Sequence, residues 1–400
     1  MALPLAQRLD LVKPSATMAV TAKAARLREQ GVDVISLSAG EPDFATPEHI
    51  RTAAKLALDH GATKYTPVPG TPELRHAVAA WFARAHGLSV SPDEVMVSAG
   101  AKQAVFNAFH ALLGPGDQVV LPTPCWVSYA EIAKLAGALP VPVATRAEHG
   151  FVVTPEAIAR ALTPATRMIV LCSPSNPTGA VYDEATLRDV ADLAVRHDLW
   201  LLTDDIYRRF CYDDACFVQP ATFGPAVRQR TVVVDGLSKS HAMTGWRIGF
   251  TLARPDLITA MSTLQGQSTS NAAAVSQAAA LAAVTGPDDE VERMRGELDL
   301  RRRVMVEGLR AIPGVVCAAP KGAFYAFPDV AAYLGSTAPG GRAIDDDLAL
   351  AEYLLDEARV AVVPGSAFLA PGHIRLSYAT AQAKIEQALA RIGAALAELL

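Results

Sequence analysis

The stretch Val234-Asp-Gly-Leu-Ser-Lys-Ser-His-Ala-Met-Thr-Gly-Trp-Arg-Ile-Gly249 runs from a β-branched strand into a polar, glycine-punctuated loop and out into the next strand. A lysine in such a loop, Lys239, belongs to a pocket at a strand end and not to a regular face. Working outward, short apolar runs alternate with helical patterns from about Ser91 to Ala253: Val95–Val97, Gln118–Leu121, Arg167–Cys172, Leu199–Thr203, Thr231–Val234 and Ile248–Leu252. Between them, Leu187, Val190 and Ala194 keep the spacing of a crossover helix. This alternation predicts an α/β fold with a largely parallel sheet covered by helices on both faces. Ligands on such sheets gather at the carboxyl ends of the strands.

Outside that region, Pro14 to Gln30 and Asp288 to Ala311 read as helices. Short strands follow at Gly322–Phe327, Val360–Val363 and His373–Ser377, with a Pro/Gly-rich surface loop from Ser336 to Arg342. At 400 residues the chain suits two domains. The expected division is a large domain over 50–287 and a smaller α+β domain assembled from 1–49 and 288–400.

Apolar residues make up 51% and charged residues 19%, a balance that excludes disorder. With a net charge of −5 and scattered basic residues, nothing reads as a nucleic-acid footprint. The one dense run, Arg301-Arg302-Arg303, is expected on a solvated helix face. Residues 259–287 carry no charge but are too rich in Ser, Thr, Gln and Asn for a bilayer span. The amino terminus has no secretory pattern, so a cytoplasmic location is expected. Five cysteines without paired spacing read as buried apolar thiols, and no metal site is expected. No Gly-x-Gly-x-x-Gly follows a strand, which argues against a nicotinamide dehydrogenase.

The lysine string resembles the cofactor-lysine motif of the class I aminotransferases, fold-type I pyridoxal-phosphate enzymes of the aspartate aminotransferase family. Further motifs of that family occur in the right order over essentially the whole chain. They are Ser98-Ala-Gly-Ala-Lys-Gln103, Pro122-Thr-Pro-Cys-Trp-Val-Ser-Tyr129, Ser173-Pro-Ser-Asn-Pro-Thr-Gly179, Leu202-Thr-Asp-Asp-Ile-Tyr207 and His373-Ile-Arg-Leu-Ser-Tyr-Ala379. The resemblance implies a mostly parallel seven-stranded sheet in the large domain and pyridoxal 5'-phosphate as cofactor. It implies that Lys239 holds the cofactor as a Schiff base and then carries the substrate proton, covalent and acid–base catalysis by one amine.

The other roles follow residue by residue from the same resemblance. Asp204 faces the pyridine nitrogen and keeps it protonated, which makes the ring an electron sink. Tyr207 and Asn176 bond the phenolic oxygen. Trp126 stacks on the ring. Gly100, Ala101 and Lys102 open a helix whose free N–H groups and dipole suit a phosphate, with the Ser238 hydroxyl and the Arg247 fork beside them. Arg375 clamps the substrate α-carboxylate in bidentate fashion, and Gly40, in Ser38-Ala-Gly-Glu41, offers it a backbone N–H.

Lys13-Pro-Ser-Ala-Thr17 and Lys102 are similar to a bacterial subgroup that acts on aspartate and in part on prephenate. In that subgroup the residues matching Lys102, Ser15 and Thr17 lie near a distal carboxylate, which needs a cation or several donors when buried. The expected reaction is transfer from aspartate to 2-oxoglutarate. Prephenate-type or aromatic substrates, or a lyase reaction on the same scaffold, are the alternatives. Lys64-Tyr-Thr-Pro-Val-Pro-Gly70 and Ser268-Thr-Ser-Asn271 are similar to segments that cross a subunit interface, so a homodimer is expected in which Tyr65 reaches the partner's cofactor phosphate.

Overall fold

In the computed structural model, which describes residues 5–14 and 16–399, the alternating region forms one sheet. Its strands are β1 (Val95–Ser98), β2 (Gln118–Thr123), β3 (Leu139–Ala144), β4 (Thr166–Cys172), β5 (Trp200–Asp204), β6 (Thr231–Gly236) and β7 (Gly249–Leu252). The spatial order is β1-β7-β6-β5-β4-β2-β3. Strand β7 is antiparallel to both of its neighbours and every other pair is parallel. Helices on both faces bury β1 and β6 along their whole length, which is why these strands read as unbroken apolar runs.

Strand β3, Leu139-Pro-Val-Pro-Val-Ala144, is missing from the strands read above. Its two prolines cannot donate to a ladder. It lies at the sheet edge, paired on one side only, with an exposed pattern that an edge tolerates. The crossover helix Glu184–Arg196 starts at Asp183, whose carboxylate accepts the Thr186 N–H at 2.7 Å, and it buries Leu187, Val190 and Ala194 as their spacing predicts.

The remaining chain builds a second set of short strands. Ile35–Ser36 pairs in parallel with Val360–Ala361, and Ile374–Ser377 lies between Val363–Pro364 and Tyr325–Ala326, antiparallel to both. Helices Ala16–Glu29, Asp289–Arg310, Asp347–Asp356 and Gln382–Ala397 surround them. The segment expected to be a plain loop, Ser336 to Arg342, instead opens a hairpin in which Ser336–Thr337 pairs with Ala343–Ile344. One apolar cluster joins Ile35 and Leu37 to Tyr207, Phe210 and Tyr212 and to Phe324, Leu354 and Leu376. Residues 206–212 therefore share a core with both ends of the chain.

The arginine run corrects the expectation of a solvated face. Arg301 and Arg302 are buried; Arg301 pairs with Asp43 at 2.8 Å and Arg302 with Asp213 at 2.9 Å, and only Arg303 is exposed. Arg301 also lies over the Phe44 ring, with its guanidinium carbon 4.9 Å from the centroid. Long stems that cover apolar surface and reach acidic partners can bury where a sequence pattern shows only charge. All five cysteines are free thiols, but only Cys125 and Cys317 are buried as expected; Cys172 and Cys211 are half-buried and Cys216 is exposed. Among the described residues no helix is long and apolar enough to cross a membrane.

Candidate active site

Strands β4, β5 and β6 are parallel, so their carboxyl ends meet at one edge. Cys172 pairs with Asp204, and Asp204 with Val234. The turn 173–179 leaves the first, residues 205–207 the second, and the lysine loop the third. They open on a cavity of about 500 Å³ whose walls include Lys239, Asp204, Tyr207, Asn176, Ser238 and Arg375.

Lys239 is half-buried there and its Nζ donates to the Gly40 carbonyl. Burial lowers its pKa to about 8, with Arg375 and Arg247 pushing the same way against Glu41 and Asp204. An amine so placed is part neutral near neutral pH, the form that attacks a carbonyl carbon. Gly40 was expected to offer its N–H to a carboxylate; here its carbonyl holds the amine.

Asp204 closes β5 and is buried. Its Oδ2 accepts the Tyr129 hydroxyl at 2.6 Å, and its Oδ1 the Ile206 N–H at 3.3 Å. Burial raises its pKa to about 6, and those two hydrogen bonds restrain the rise. No cationic side chain among the described residues hydrogen-bonds it. A buried carboxylate facing a cavity in this way fits a protonated ring nitrogen.

Arg375, 2% exposed, comes from the strand Ile374–Ser377 and reaches across to the large sheet. Its Nη1 donates to Asn176 Oδ1 at 3.0 Å and its Nη2 to the Ser38 carbonyl at 2.7 Å, while Nε is buried without a partner. The guanidinium carbon lies over the rings of Tyr325 and Phe368, 4.4 and 5.0 Å from their centroids. Packed on two aromatic rings and with donors to spare, it fits a carboxylate. With Oδ1 of Asn176 committed to Arg375, only the amide nitrogen is left to donate. The Tyr207 hydroxyl is 2.8 Å from that of Tyr325, and both are buried.

Helix Ala101–Leu112 starts beside these groups. Its first internal bonds run from Gln103 and Ala104 to the Gly100 carbonyl, so the N–H groups of Ala101 and Lys102 are the open ones at its start. The Gly100 N–H, expected to join them, bonds the Ser98 carbonyl at 2.7 Å. Arg247 sits over the same turn in a left-handed conformation, φ 55°, donating to the Thr244 carbonyl at 2.8 Å. Glycine is required at two points here. A Cβ on Gly100 would strike the Arg247 guanidinium, and one on Gly249 would strike the backbone of Ala101. A cradle that tight, with open N–H groups, a helix dipole and an arginine, fits a phosphate.

Lys102 and Thr17 line the same cavity, and the Lys102 ammonium stands 5.0 Å from the Trp126 ring centroid. Burial first and Arg247 second lower the Lys102 pKa. Trp126 packs edge-on against Tyr129 at 5.2 Å. Ser15 lies outside the described residues. Tyr65 is 92% exposed and lines a separate groove with Leu58 and residues 269–271, away from Lys239. Tyr129, Tyr325 and Glu41 are site residues that the motif reading left without a role. Tyr129 and Tyr325 stand inside segments already quoted as motif or strand, yet nothing local to either says which distant group its hydroxyl meets.

Lys239, the buried Asp204, the phosphate cradle and Arg375 together fit pyridoxal phosphate and an amino-acid substrate. Comparison with known proteins agrees. The family model for aminotransferase class I and II matches residues 32–392. An aspartate/prephenate aminotransferase of Cereibacter sphaeroides is 46% identical over 391 residues, covering 98% of each chain. The crystal structure of the aspartate aminotransferase from Rhizobium meliloti superposes with a TM-score of 0.95 at 44% identity, covering 100% of both chains. An aspartate aminotransferase from Thermus thermophilus with maleate gives 0.92 at 45%, covering 98% of this chain and 100% of that one.

Proposed function

The chain belongs to the class I and II aminotransferases, transaminases of the pyridoxal-phosphate-dependent kind, and from that premise we propose that it transfers the amino group of aspartate to 2-oxoglutarate. The observation that carries the substrate is the pairing, in one cavity, of Arg375 with Lys102 and Thr17. Two cationic groups lining one cavity suit the two carboxylates of a dicarboxylic substrate. The names of the Cereibacter and Rhizobium relatives, and the maleate held by the Thermus enzyme, point to dicarboxylates as well. Prephenate is the second reading, carried by the Cereibacter relative's name.

Bound pyridoxal phosphate supplies an electron sink for the bonds at the substrate α-carbon. The residues would then divide the work. Lys239 anchors the cofactor and, once freed, takes the α-proton on Nζ. Asp204 holds a proton at the ring nitrogen by ion pairing. Tyr207 and the Asn176 amide donate to the phenolic oxygen, and Trp126 covers the ring. Ser238, Arg247 and the backbone of Ala101 and Lys102 take the phosphate. Arg375 and the Gly40 backbone orient the substrate carboxylate so that the α-proton faces Lys239.

We also assign 50–287 to a large cofactor domain and 1–49 with 288–400 to a small one, since Arg375 and Gly40 come from the second and Lys239 from the first. The assembly we propose is a homodimer, supported by the exposure of Tyr65 and Leu58 along one groove, and the compartment is the cytoplasm. A fully active monomer by light scattering would overturn the dimer. An absorbance spectrum before and after adding aspartate tests the reaction: the yellow form should give way to the pyridoxamine form, with oxaloacetate released.

A further inference from the structure

The Tyr207 and Tyr325 hydroxyls are 2.8 Å apart in the wall of the cavity, and each carries a single proton. Within such a pair one phenol donates and the other accepts. Tyr207 stands beside Lys239, whose Nζ is 6.0 Å from its ring centroid. If its proton is to point at the cofactor's phenolic oxygen, its own oxygen must accept from Tyr325. The reverse arrangement would spend the Tyr207 proton inside the pair. The Arg375 guanidinium lies 4.4 Å over the Tyr325 ring, and the Tyr325 hydroxyl occupies the space that a side chain on Gly40 would need, 3.1 Å from where its Cβ would stand.

We propose that Tyr325 is a positioning residue that turns the Tyr207 proton toward the cofactor and makes the strength of that donor depend on whether Arg375 carries a substrate carboxylate. The proposal rests on the cofactor reading above. A hydrogen bond accepted by Tyr207 strengthens the one it donates. Donation to the phenolic oxygen stabilises its negative charge most when the Lys239 nitrogen is deprotonated, so it lowers that nitrogen's pKa in the loaded enzyme. The positive charge of Arg375 on the Tyr325 ring favours release of the Tyr325 proton toward Tyr207. When a carboxylate neutralises Arg375 the relay weakens, and the Lys239 nitrogen holds its proton more firmly as substrate arrives. Among the described residues, the other charged or titratable groups lining this cavity are Asp204, Glu41, Arg247, Cys172, Lys102 and Tyr129. They lie outside the two-phenol contact and are left unchanged by the test.

The experiment is a pH titration of the visible absorbance band of the holoenzyme, with and without maleate, for the parent, Tyr207→Phe and Tyr325→Phe. Cofactor content and melting temperature are measured on the same samples. Tyr325→Phe is expected to raise the spectral pKa by about half a unit to one unit, to keep its cofactor, and to show a smaller further rise on adding maleate than the parent does. Tyr325→Gln, which keeps an amide donor on a shorter side chain, should return the pKa part of the way and serves if the phenylalanine variant does not fold. A titration of Tyr325→Phe that overlays the parent, while Tyr207→Phe is shifted, overturns the inference and leaves the cofactor reading intact. An unshifted Tyr207→Phe overturns it at its first link. A parent with no pH-dependent visible band overturns both.

Discussion

The Tyr129 hydroxyl donates to Asp204 Oδ2 at 2.6 Å, across 75 residues of chain and inside the core. Tyr129 stands in the short helix after β2, and Asp204 ends β5. The bond ties the carboxylate that would face the ring nitrogen to the segment that carries Trp126.

Removing that hydroxyl should therefore act through the carboxylate. Tyr129→Phe leaves one oxygen of Asp204 unpaired, and a bond to a charged group contributes about 1.5–3 kcal/mol. Because the Tyr129 bond holds the Asp204 pKa down, its loss should raise that pKa further and weaken pairing with the ring nitrogen. We expect kcat/KM to fall about tenfold, roughly 1.4 kcal/mol of transition-state stabilisation, and cofactor affinity to fall with it. Parent-like kinetics with normal cofactor retention would show that the contact is only structural.

Asp204 itself trades stability for function. Its folded pKa of about 6 lies above the ordinary value of 3.8, so the folded cofactor-free protein binds the proton more tightly than the unfolded chain does. Its contribution to stability is fully present below pH 3.8 and is lost as the pH rises through 6. At about 1.4 kcal/mol per unit the loss approaches 3 kcal/mol. Asp204→Asn cannot ionise and should stabilise the cofactor-free protein at pH 8 by up to that amount while abolishing transamination. Urea unfolding at pH 5 and pH 8 checks this; a parent–variant gap that does not widen with pH would contradict it.

Lys102→Ala separates dicarboxylic from simple substrates. The ammonium shares a cavity wall with Thr17, and losing it should reduce kcat/KM for aspartate by about 10- to 100-fold, on the order of 1.4–2.8 kcal/mol, with alanine little affected. Equal effects on both substrates would remove Lys102 from the distal-carboxylate site.

Gly249→Ala tests the phosphate cradle from behind. The new Cβ would overlap the Ala101 nitrogen and lie 2.7 Å from its Cα, and a helix start cannot move aside as a side-chain tip can. Overpacking of this kind costs about 1–3 kcal/mol. The variant should melt lower and bind the cofactor at least tenfold more weakly by fluorescence titration. Unchanged binding would mean that the first turn of the helix does not hold the phosphate.

Much of this protein is legible along the chain, and the reason is local. Apolar strands buried on both faces announce themselves as β-branched runs, and loops at the ends of parallel strands collect the chemistry, so Lys239, Asp204, Asn176 and Arg375 stand in recognisable strings. The edge strand β3 escaped because its prolines deny it a strand's usual composition. Arg301 and Arg302 escaped because charge in a helical pattern does not tell a solvated face from one covered by Asp43, Phe44 and Asp213. What the tertiary structure alone decided is pairing across distance. Tyr129 with Asp204, Tyr325 with Tyr207, and Arg375 with Asn176 and the Ser38 carbonyl are contacts between segments up to 337 residues apart. A side chain's identity is written in the sequence. Its protonation and the direction of its proton are set by neighbours and burial, which exist only once the chain has folded.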